Sequence, residues 1–95
     1  MTKATKTQVT IVTNNLSRKA NDLSSCVTSR EVWACINECD RALIEATRIK
    51  DLGMNKAAKE QCERSFNVAF SRLESSISSA MDRAELLEKR EQKAA

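Results

Sequence analysis

A single glycine, Gly53, and no proline punctuate the whole 95-residue chain. Tight turns draw on glycine, proline and asparagine for backbone shapes that other residues resist, so a chain this poor in them cannot reverse often. An all-β fold with many turns is excluded on that ground. A doubly wound α/β fold needs glycine at its βα turns and more length. What remains is one domain over residues 1–95, built from a few long helices with short links.

The apolar spacing predicts three such helices, at about residues 7–25, 29–52 and 56–91. In the first, Val9, Val12, Leu16, Ala20, Leu23 and Val27 recur at intervals of three and four, which lines one helical face. Thr5 and Gln8 match a capping box at its start. Its weakness is the β-branched run from Val9 to Thr13, followed by Asn14 and Asn15, which leaves a strand at 8–13 as the alternative. No second segment offers that strand a partner.

The second helix is the best punctuated. Thr28 and Glu31 have capping-box spacing, Val27 and Val32 that of a hydrophobic staple. Gly53 suits the residue after the end, with Met54 reaching back to Ile49 as in a Schellman ending. Its stripe is Val32, Cys35, Ile36, Cys39, Ala42, Leu43, Ala46 and Ile49, with Trp33 and Ile44 on a flanking line. So wide an apolar face fits an element with two neighbours.

The third helix follows Asn55, a favourable N-cap. It carries Cys62, Phe66, Ala69, Leu73, Ile77, Ala80, Ala84 and Leu87 at helical spacing. The serines at 71, 75, 76, 78 and 79 lower helix propensity, so a bend is expected near 75–79 if anywhere. Short links make sequential helices antiparallel. The expected fold is all-α: an up-down-up bundle of three long helices with coiled-coil-like packing.

Composition then removes functions. There is no histidine, no glycine-rich elbow around the serines, and one glycine cannot build a phosphate loop. Carboxylates in proximity, such as Glu60 with Glu63, read as surface charge on a solvated helix. The expectation is therefore no enzyme, no catalytic residue, no cofactor and no metal. The net charge of +3 is concentrated at Lys3, Lys6, Arg18 and Lys19, too spread for a phosphate-binding stripe. The three aromatics, Trp33, Phe66 and Phe70, are too few for base stacking. The longest apolar run is five residues, Val32–Ile36, far short of the ~18–20 needed to cross a membrane. No secretory leader is apparent, which points to the cytoplasm.

Cys26, Cys35, Cys39 and Cys62 read first as reduced thiols packed like small core residues. A disulfide and a metal site built on Cys35 and Cys39 stay open as alternatives.

Function is expected to reside in helix faces: a protein–protein interaction module, such as a small adaptor, regulator or inhibitor docking on a larger complex. A nucleic-acid-associated helical protein is the alternative. Trp33 reads either as a core-edge aromatic over the link between the first two helices or as a partner anchor, since tryptophan is enriched at interface hot spots. Helix lengths supply the rest. At ~1.5 Å per residue the third helix outruns the second, leaving residues beyond about 79 projecting past the first link. Met81, Ala84, Leu86 and Leu87 are then the partner-binding candidates, and a second copy of the chain, as a homodimer, the simplest partner. Far-UV circular dichroism should report helix above roughly two-thirds, against the ~30–35% of typical globular domains; a clear strand component would overturn the first helix.

Overall fold

In a computed structural model, which describes residues 2–94, helix takes up 88% of the described residues and the fold is an all-α bundle. Helix α1 is Lys6–Ser25, α2 Ser29–Leu52, α3 Lys56–Gln61 and α4 Glu63–Ala94. The bundle is long and narrow, 55 × 21 × 15 Å.

The β-branched start of α1 is helical. Thr5 closes a reciprocal capping box, its hydroxyl accepting from the Gln8 amide at 3.2 Å while Gln8 Oε1 accepts from the Thr5 amide at 2.9 Å. Thr13 turns its hydroxyl back onto the Val9 carbonyl, 2.7 Å away. That satisfies a polar side chain that would otherwise favour an open backbone. Tertiary packing then overrides weak propensity, since Val9, Leu16, Ala20 and Leu23 are all buried.

On α2 the predicted stripe is the core. Val32, Cys35, Ile36, Cys39, Ala42, Ala46 and Ile49 are buried and Leu43 half-buried. Cys39 is wholly enclosed. Thr28 caps the helix, its hydroxyl accepting from the Glu31 amide at 3.2 Å. Two local expectations fail. Glu31 turns to the Val27 amide, 3.5 Å away, and not to the Thr28 amide. Val27 is 72% exposed, so the staple with Val32 does not form. The polar reach of Glu31 holds the link where apolar contact was expected to.

The ending of α2 also differs. The Gly53 amide donates to the Ile49 carbonyl at 3.0 Å, but its backbone, at φ 84 and ψ 158, is not the left-handed helical shape of a Schellman motif. It is an extended positive-φ conformation open essentially only to glycine. That shape aims the Gly53 carbonyl outward to accept from the Ala4 amide at 2.8 Å, while the Asn55 amide donates to the Ala4 carbonyl at 2.9 Å. Ala4 is fully buried in this isolated bridge.

The predicted third helix is divided. It bends at Cys62, with φ −120 and ψ −22, and runs unbroken through the serines at 75–79 where a bend was expected. The hydrogen-bond ladder survives, because the Cys62 amide reaches the Ala58 carbonyl at 2.7 Å and its own carbonyl receives the Phe66 amide at 2.9 Å. The bend lays α3 against α1. Ala58 is buried there, and the Cys62 thiol lies 3.6 Å from the Thr10 hydroxyl and 3.9 Å from the Lys6 carbonyl. The serines lie on α4 opposite the end of α1: Ser75, Ser76 and Ser79 face Leu23 and Ser24 across a crevice of about 350 Å³.

Because α3 packs against α1, α4 enters the α2 groove late. Lys50 lies over the Phe70 ring at 3.6 Å, Trp33 meets Glu88 and Ser29 meets Glu91. Each step along α2 is thus matched by one step back along α4. The expected overhang beyond residue 79 does not exist, since the first link is met at Glu91.

Two substitutions test this frame. Gly53→Ala should cost about 1–3 kcal/mol through backbone strain alone, because an added Cβ would meet nothing within 4 Å. Cys39→Asp should cost more than about 3 kcal/mol, since it buries an unpaired charge. Denaturant unfolding followed by circular dichroism measures both; a tolerated Cys39→Asp would mean that the stripe is misplaced.

Candidate functional site

The expected partner-binding residues do not form one surface. Ala84 is fully buried and Leu87 is half-buried against the core, so neither projects. Met81 and Leu86 are exposed, at 43% and 57%. Trp33 is half-buried, with its ring edge against the core and its indole N–H donating to Glu88 Oε1 at 2.6 Å.

These contacts form a polar seam that closes the link end of the bundle. Glu91 accepts from both the amide and the hydroxyl of Ser29, at 3.2 and 2.5 Å. Those two hydrogen bonds hold its carboxyl below the usual glutamate range, despite its exposure. Arg83 Nη2 donates to the Leu23 carbonyl at 2.6 Å. Helix α1 has no basic residue in its last turn, so α4 supplies the cation that its carbonyl end favours. The seam is a structural clasp, and it takes Trp33 into its own hydrogen bonding.

The open apolar surface lies elsewhere, along the groove between α1 and α2. At the end nearest Gly53, Ile11, Val12, Ile49 and Leu52 line a concavity of about 330 Å³ with Gln8, Glu45 and Arg48. Glu45 and Arg48 also border the next stretch, about 490 Å³, which continues past Ile44 to Lys19 and Glu38. Ile11 is 64% exposed and Ile44 57%. The far end is closed by an ion pair, Lys19 Nζ to Glu38 Oε2 at 3.1 Å, which raises the lysine pKa. This is an aliphatic trough with charged walls of both signs.

Apolar periodicity alone does not mark this groove. Ile11 lies in the β-branched run, out of phase with the buried stripe. Ile44 shares a flanking line with Trp33 along the sequence, although the two face different surroundings. The usable signal was that two isoleucines fall off the core stripes on sequential, antiparallel helices.

The thiols occupy two places. Cys62 sits at the α3–α4 bend, while Cys26, Cys35 and Cys39 lie at the junction of α1 and α2, with Cys35 between the other two. Burial pushes all three of these thiols above the ordinary cysteine range. The Cys39 thiol lies 3.7 Å from the Lys19 carbonyl, and that of Cys26 3.4 Å from the Asp22 carbonyl. Among the described residues, no group of three or more cysteine and acidic side chains is arranged to hold a metal ion.

The clasp makes a pH-dependent claim. The folded pKa of Glu91 is depressed, so its contribution to stability is present above the unfolded value, about 4.3, and is lost as pH falls through the folded one. Carboxyl-detected NMR should show Glu91 titrating below the chain's exposed glutamates, and Ser29→Ala should return it to the ordinary range.

Comparison with protein-family models, with curated proteins and with solved structures finds no significant match for this chain.

Proposed function

We propose that this chain is a non-enzymatic protein-interaction module, and that the groove between α1 and α2 receives an apolar helix of a partner protein. The observation that supports this is the open trough of Ile11, Val12, Ile49 and Leu52, continued past Ile44 between charged walls. An amphipathic helix docks by setting apolar side chains one turn apart into such a trough. The flanking Glu45 and Arg48 then select its charge pattern and its direction. The role is that of a small adaptor, regulator or inhibitor, with Ile11 and Ile44 as its exposed contacts. Met81 and Leu86, on α4, are separate exposed positions. No helix of the described residues is long and apolar enough to cross a membrane, which accords with a partner met in aqueous surroundings.

Site-specific photo-crosslinking in native lysate tests the groove. A photoreactive residue at Ile11 or Ile44 should capture one discrete protein, a second copy of the chain included, whereas the same residue at Ser78 on α4 should not. Ile11→Asp should weaken that interaction by about thirty-fold, as loss of an interface anchor does. It should leave stability within about 0.5 kcal/mol, because Ile11 is exposed. Equal capture from Ser78 would overturn the assignment. So would retention on DNA or RNA that falls steeply with salt and survives Ile11→Asp, the mark of phosphate contact.

A further inference from the structure

The row of thiols at the α1–α2 junction is the one chemically distinctive cluster that the docking role leaves unused. Cys26 is the residue that ends α1, half-buried, with an extended backbone at φ −71 and ψ 138. Cys35 is buried on the second turn of α2. The Cys26 thiol lies 3.6 Å from the Glu31 carbonyl, the carbonyl one helical turn before Cys35, which sets it beside Cys35 across the link. Cys39, one turn further along α2, is the other neighbour of Cys35.

Geometry separates the two choices. A disulfide needs Cβ atoms ~3.5–4.5 Å apart and a torsion near ±90°. Cys35 and Cys39 lie one turn apart on a single helix, where Cβ atoms are fixed ~5–6 Å apart. Closing that pair would distort α2 in the middle of the core stripe. Cys26 stands on non-helical backbone in a three-residue link, between Val27, which packs on nothing, and Ser25, which is exposed. It can move toward Cys35 at the cost of one long cap bond, from its amide to the Leu23 carbonyl at 3.4 Å. Its thiol is held only by long contacts to the Asp22 and Glu31 carbonyls, at 3.4 and 3.6 Å.

We propose that Cys26 and Cys35 are a disulfide-forming pair, which a low-molecular-weight disulfide such as oxidised glutathione closes into a covalent staple across the α1–α2 link. The Cys26 thiolate attacks one glutathione sulfur, forming a mixed disulfide and releasing one glutathione thiolate. The Cys35 thiolate then attacks the Cys26 sulfur and releases the second. Two protein thiols are oxidised, one glutathione disulfide is reduced to two thiols, and the two protein protons leave with the glutathiones. Cys39 stays reduced beneath the pair, and Cys62 stays reduced at the other end of the bundle. The staple fixes the exit of α1 against the second turn of α2, so the link can no longer open unless the bond is reduced.

The full folded chain, incubated with oxidised glutathione and quenched with acid, provides the test. The intact mass should fall by two hydrogens, with no glutathione retained, and peptide mapping should find Cys26 joined to Cys35. Cys39→Ala and Cys62→Ser should give the same product. Cys26→Ser should abolish it, and because Cys26 lies in the link this variant should keep the native circular dichroism spectrum. The denaturation midpoint of the oxidised protein should rise and return on reduction. A Cys35–Cys39 linkage, a persistent glutathione adduct on Cys26, or a folded protein that stays fully reduced would each overturn the proposal. None of these results bears on the α1–α2 groove, whose capture assay is run under reducing conditions.

Discussion

The reversal at Gly53 is the constraint from which the rest of the arrangement follows. A backbone shape open only to glycine turns the chain outward and lets the α2–α3 link pair with Ala4. With Ala4 pinned beside that link, α3 has α1 to lie against, and Cys62 is where the chain bends to continue along the bundle. The late entry of α4 then decides which residues meet the first link. Trp33 with Glu88 and Ser29 with Glu91 are consequences of an event some thirty residues earlier in the chain.

Much of the helix layout was legible, since it depends on spacing and local capping. The boundaries of α2 and the Thr5–Gln8 capping box come from interactions within a few residues of one another, and the burial of Cys39 and Phe66 follows from their place on apolar stripes at helical spacing. The errors share a different cause. Assigning Met81, Ala84, Leu86 and Leu87 to an overhang assumed that pairing with α2 begins as soon as the chain has turned. That fails because Ala4 occupies the turn and α1 claims α3, and nothing in a periodic pattern encodes a contact between residue 4 and residue 54. The serines misled in the opposite way. Low propensity at 75–79 is outweighed by burial of the flanking Leu73, Ala80 and Ala84 in the core, whereas Cys62, an unremarkable member of the stripe, is where the helix bends.

The surface of the molecule divides along the same line. At the link end, polar side chains from α4 satisfy the exposed ends of α1 and α2, with Arg83 on the Leu23 carbonyl and Glu91 on Ser29. Trp33, the most obvious anchor by residue type, is enlisted into that closure. At the Gly53 end the chain is tied by the Ala4 bridge and by local caps at Thr5 and Asn55, and the neighbouring groove leaves Ile11 exposed. Side chains reaching across from α4 thus close one end, and the other, tied by short-range caps and a backbone bridge, is the one beside the apolar trough.

The bridge between Ala4 and Met54 also has a kinetic meaning. Fifty residues separate its partners, so it rewards the chain only after that loop has closed. The α1–α2 hairpin, with its three-residue link, involves far shorter separations and can assemble first. Within that hairpin the bridge is therefore the contact furthest from the link, the last to close and the first to open. Interactions that form after the transition state govern how long the native protein persists more than how fast it is reached. The small clasp around Ala4 thus acts as a latch on lifetime: strengthening it would slow escape from the folded state and leave the rate of arrival almost untouched.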